Sequence, residues 1–112
     1  MPEEPQQPEL QLSLNPDLRG GAFANFATVW HTPYDFTLDF FATEPPARGS
    51  DGKPVVPGVH TARVRIPVGV IFALARAISE NVSQYEEQFG PIPVPEDGKS
   101  AFPPAGSGDE VR

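Results

Sequence analysis

The feature that most restricts this chain is a short stretch carrying large rings on both sides of a pleated ribbon. Residues 22–31 read AFANFATVWH and residues 36–42 read FTLDFFA. Both runs are rich in the Phe, Thr, Val and Trp that suit a half-buried pleated surface. Phe36, Leu38 and Phe40 alternate with Thr37 and Asp39, the period of a strand with one buried face. Between the runs lies Thr32-Pro33-Tyr34-Asp35, with Pro at a favoured turn position, so the pair predicts a β-hairpin. Successive side chains of a strand point to opposite faces. Phe40 and Phe41 therefore diverge, as do Phe23 and Phe26, and Phe23 and Trp30. A hairpin of this kind cannot shelter its rings by covering one face.

Little else in the chain is available to cover them. Residues 59–66, VHTARVRI, predict a third strand, with His60, Ala62, Val64 and Ile66 on one side and Thr61, Arg63 and Arg65 on the other. Pro67 suits the first position of a helix, where no amide donor is needed. From there Ile71, Leu74, Ile78, Val82, Tyr85 and Phe89 recur at three- and four-residue steps, one apolar stripe, ending at Gly90-Pro91. The order β-β-β-α predicts a two-layer α+β domain: a three-stranded antiparallel sheet, made of the hairpin plus the third strand, packed by one C-terminal helix. One helix covers only part of one sheet face. The second face calls for another chain, so a homodimer or higher oligomer is expected, with Phe23, Phe26, Trp30 and Phe41 as interface candidates.

The remainder reads as connecting chain. The sequence holds 15 Pro and 10 Gly in 112 residues, concentrated outside the domain at 21–90. Residues 1–20 and 91–112 show no apolar period and bury too little to offset backbone ordering, so both read as disordered tails, Pro-rich and acidic at the N-terminus and Pro/Gly-rich at the C-terminus. Residues 44–58 hold four Pro and three Gly, which predicts a flexible loop without a regular element. A core of about seventy residues is marginal alone. The absence of cysteine removes disulfides as a support. Self-association is the remaining route to more buried surface. The net charge of −7, held largely in the tails, disfavours nucleic acid and anionic membranes as partners. The N-terminus lacks the basic and apolar regions of a signal peptide, and no apolar run approaches bilayer thickness, so a cytoplasmic location is expected.

Candidates for chemistry are few. His31, Asp39 and His60 could together hold a metal, which would make a small metal-dependent enzyme, but they lack the spacing of a metal motif. Asp39 and Asn25, each set among apolar neighbours, need hydrogen-bond partners if buried. For Asp39 a cross-strand pair with Arg63 or Arg65 is the expected solution. No phosphate-binding loop or nucleophile motif is present, and no cofactor is called for. The polar candidates are Asn25, His31 and Asp39, and the reading is a non-enzymatic interaction or assembly module, with an unidentified protein as a possible partner.

The run from Phe23 to Phe40 is similar to a known pattern. Phe23-Ala24-Asn25, then Val29-Trp30-His31-Thr32-Pro33, then Asp35-Phe36-Thr37-Leu38-Asp39-Phe40 resembles the small prokaryotic family called domain of unknown function 3467. Asn81, Tyr85, Glu86 and Phe89-Gly90 continue the likeness through the helix, with Thr32 where the family has Ser and Val68-Gly69-Val70 where it has a more polar helix start. The resemblance implies a fold and no activity. The element order is also similar to that of the SecB export chaperones, an analogy of fold that implies holding of unfolded chains on apolar grooves.

Overall fold

A computed structural model describes residues 6–94; the expected tails lie partly outside these residues. In chain order the elements are a 3-10 turn at Pro16–Leu18, β1 (Phe26–His31), β2 (Asp35–Thr43), β3 (Ala47–Arg48), β4 (Pro54–Val55), β5 (Gly58–Pro67), a 3-10 turn at Val68–Val70 and α1 (Ile71–Phe89). The class is α+β. β1, β2 and β5 form an antiparallel sheet with β2 in the centre, and β3 pairs with β4 in a second, two-stranded sheet.

The hairpin closes where the sequence predicts. Thr32 organises it: its hydroxyl donates to Asp35 Oδ1 (2.9 Å) and accepts from the amides of Tyr34 (3.1 Å) and Asp35 (3.2 Å). One donor and two lone pairs are all that a hydroxyl offers, and all are used. The Thr32 amide completes the turn on the Asp35 carbonyl at 2.9 Å.

Two expectations from spacing fail locally. Residues 44–58 do contain a regular element, the β3–β4 ladder. Gly52 turns the chain at φ +80°, Asp51 Oδ1 accepts from the Lys53 amide, and the Gly49 amide donates to the Lys53 carbonyl. Such a short ladder tolerates Pro54, whose missing donor faces outward from a two-residue strand. The second failure is in β5. Phe40 pairs with Ala62 but Phe41 pairs with His60, so Thr61 is an unpaired bulge residue. Strict alternation puts His60 with Ala62, Val64 and Ile66; the bulge moves it to the side of Arg63 and Arg65.

The helix forms with the predicted stripe, but its start and its packing differ from expectation. Pro67 stays extended (φ −57°, ψ 146°) as the last residue of β5, and the α-helix begins four residues later at Ile71. The intervening turn is tied to the hairpin tip, since the Val68 amide donates to the Tyr34 carbonyl at 3.2 Å. Beyond this three-residue connector α1 is not packed back onto the sheet. Ile71 and Leu74 are half-buried, and no residue of α1 is buried. Helix and sheet are both present, but the helix does not form a second layer over its own sheet. It ends at Gly90 (φ +94°, ψ 176°), a conformation open to glycine, whose amide donates to the Glu86 carbonyl at 2.9 Å.

Candidate functional site

The two faces of the sheet differ in kind, and the register assigns each side chain to one of them. One face is polar and centred on Asp39. The carboxylate is fully buried and can only accept, so every contact is a donor turned inward. Arg63 donates from Nε to Oδ1 (2.6 Å) and from its terminal nitrogen to Oδ2 (3.0 Å), a bidentate fork from β5. Trp30 Nε1 donates to Oδ2 at 3.1 Å from β1, and His60 Nε2 lies 2.8 Å from Oδ1, which requires the ring proton on Nε2. One carboxylate thereby ties all three strands. The Arg63 hydrogen bonds, opposed by burial and helped by those from Trp30 and His60, hold the Asp39 pKa down to about 2.

The same face is roofed by its own side chains. The Arg63 guanidinium lies 5.8 Å from the Trp30 ring centroid. Phe26 meets Phe41 edge-on at 6.2 Å, and Phe41 stacks with His60 at 5.1 Å. Asp35 takes Arg65 (2.7 Å) at one end of the face, and its carboxyl is lowered, first by the Thr32 hydroxyl and then by Arg65. Thr28 and Thr37, flanking Asp39, are 2% and 1% exposed. Thr28 Oγ1 is buried with no hydrogen-bond partner among the described residues.

The other face is apolar and open. It carries Val29 from β1, Phe36, Leu38 and Phe40 from β2, and Val64 and Ile66 from β5. Val29 and Val64 are 42% and 44% exposed, and Leu38, at the centre of the central strand, is only half-buried. Only the small Ala27 is buried there. The stripe of α1 is equally open: Ile78 is 55% and Phe89 67% exposed. Ile92 folds back beside Ile78, Val82 and Tyr85, its amide held by Glu86 Oε2 at 3.1 Å, and lengthens that apolar surface.

The residues singled out from sequence scatter over these surfaces. Phe26, Trp30 and Phe41 share the polar face, where they wall the Asp39 network. Phe23 precedes β1 and is 71% exposed. Asn25 fastens the far end of the hairpin: its Oδ1 accepts from the Thr43 backbone amide (2.8 Å) and hydroxyl (3.1 Å), while its backbone N–H donates to the Phe41 carbonyl. Asp39 and His60 come together, but His31 lies on the opposite face against Phe36, with ring centroids 5.6 Å apart. Among the described residues no group of three His, Cys, Asp or Glu is placed to hold a metal. Sequence reasoning missed Thr28 and Thr37, although Thr37 shares the parity of Asp39 on β2 and was open to detection on that ground. It also assigned the open apolar face to coverage by α1.

This geometry places the hydrogen-bonding residues of the run from Asn25 to Asp39 at the turn, the strand end and the buried centre. The model of a family described as a protein of unknown function, DUF3467, matches residues 1–93. The chain belongs to this family. No curated protein and no solved structure matches it. In this DUF3467 chain the side-chain contacts of Thr32 all run through its hydroxyl, which a Ser would supply equally. Among the described residues no helix is long and apolar enough to cross a membrane.

Proposed function

We propose that this protein is a non-enzymatic, self-associating interaction or assembly module. The observation that carries the reading is an inversion of shelter. The chain buries Thr28, Thr37 and Asp39 on its polar face and leaves Val29, Val64 and α1 beyond Leu74 open. Contiguous exposed apolar surface on a small domain favours association, because each apolar side chain taken out of water contributes ~1.5–3 kcal/mol. The polar network argues the same way from chemistry. The oxygens of Asp39 are already occupied by Arg63, Trp30 and His60, so the cluster reads as a strand tie with no acid, base or nucleophile aimed at open space.

Sedimentation equilibrium of the full chain tests the proposal. The expected mass is a multiple of the 12.1 kDa chain at micromolar concentration. A single species of one chain mass at the highest attainable concentration would remove the reading. The holdase alternative draws on the same open face, and it becomes the better account if a monomeric chain suppresses aggregation of a denatured client.

A further inference from the structure

Resting on the self-association reading, we infer that the open apolar face is covered by the helix of a second copy, each α1 lying across the sheet of its partner about a twofold axis. Three ways of pairing two copies use the open surfaces. Helix stripe against helix stripe leaves both sheet faces wet. Sheet face against sheet face leaves both stripes wet. Reciprocal helix on sheet covers all four surfaces with one kind of contact, and a twofold supplies the second contact without further design.

The dimensions agree. The 19 residues of α1 span ~28 Å, and a helix is ~10 Å wide, a footprint of ~280 Å². The three paired strands offer six residues each, ~20 Å by ~14 Å, or ~290 Å². The strip the two share is ~20 Å by ~10 Å, so both sides of both contacts give ~800 Å² of flat projection, which the relief of side chains raises toward the ~1,200 Å² at which specific, stable interfaces begin. Chemistry agrees too. The stripe residues Leu74, Ile78, Val82, Tyr85 and Phe89 carry no charge, and the facing sheet positions carry none except where His31 closes the edge. The single chain leaves room for exchange, since none of the residues of α1 is buried against its own sheet.

The absence of native cysteine makes the test direct. Two full-length single-cysteine chains are prepared, Val64→Cys on the sheet face and Val82→Cys on the helix stripe, one carrying a mass tag. They are mixed and treated with a short bis-maleimide. Both positions are about four-tenths exposed in one chain, so neither substitution disturbs a packed core. The expected product is the mixed, cross-linked pair, shifted to twice the chain mass, with little product from either chain alone. A Val82–Val82 or Val64–Val64 product in its place would overturn the arrangement and leave self-association standing. A doubly substituted chain that cross-links within itself would also overturn it, since α1 would then cover its own sheet. Absence of any product from a preparation that sediments as a dimer would overturn the arrangement alone, whereas absence from a monomer would overturn both readings.

Discussion

Replacing Asp39 by Asn keeps the size and shape of the side chain and removes the charge at the centre of the polar face. The amide can accept through one atom, but its nitrogen then faces donors from the opposite strands where a carboxylate oxygen stood. Four donor contacts converge there, at 2.6–3.1 Å. Hydrogen bonds to a charged group contribute ~1.5–3 kcal/mol each, but Arg63 and His60 are about half exposed and can recover water, so the loss is about 3 kcal/mol. A second route gives a similar figure. Depression of the carboxyl from 3.8 to about 2 corresponds to about 2 kcal/mol of stability at neutral pH. Urea denaturation at pH 7, at one fixed protein concentration, should therefore show Asp39→Asn less stable by about 2–3 kcal/mol, or roughly 10–20 °C in Tm. The pH dependence has a definite sign. Because the folded pKa lies below the unfolded one, the contribution is complete above about pH 5 and is lost as pH falls through about 2. The difference between the two proteins should shrink across that window. A substitution effect under about 0.5 kcal/mol at pH 7, the range of ordinary surface changes, would refute the reasoning.

Thr32→Val removes the hydroxyl that serves three contacts in the turn and should cost about 1–2 kcal/mol in the same assay, while Thr32→Ser stays within about 0.5 kcal/mol of the parent. Equal losses from both would show that the hydroxyl is not the operative group. Asn25→Ala leaves the Thr43 amide without its acceptor and should cost about 1 kcal/mol, seen as faster amide exchange at Thr43. Unchanged exchange there would count against the strand-end role. Val82→Glu sets a charge in the apolar stripe and should shift sedimentation toward a single chain, whereas Gln84→Glu, on the far side of α1, should not. The opposite ranking would place the interface elsewhere.

The legible and illegible parts of this fold divide along a physical line. The hairpin is readable because two-residue alternation and a Pro-containing turn are local signals, and Asp39 is readable as a cross-strand partner of arginine because neighbouring strands force that choice. His60 is not readable, because the bulge at Thr61 reverses its side and nothing in the spacing of VHTARVRI marks the extra residue. The β3–β4 ladder is masked by a composition of Pro and Gly that ordinarily ends regular structure. The placement of α1 is the largest difference. Its stripe follows from sequence, but nothing in the local spacing says which surface that stripe rests on, and in the structure no residue of α1 is buried. From sequence, Phe26, Trp30 and Phe41 are the rings that call for a second subunit. They gather around Asp39 instead, and the unmet apolar surface is the one carrying Val29, Leu38 and Val64.

If a second copy completes the hydrophobic core, folding and association are one event, and stability must depend on protein concentration. The decisive measurement is the urea midpoint of the full chain over a hundredfold range of concentration. A dimer that folds as it assembles gains about 2.7 kcal/mol over that range. With a slope of about 2–3 kcal/mol/M, the midpoint should rise by roughly 1 M. A midpoint that does not move, with a cooperative transition at every concentration, would show that one chain stabilises itself with its apolar face in water and would contradict the account.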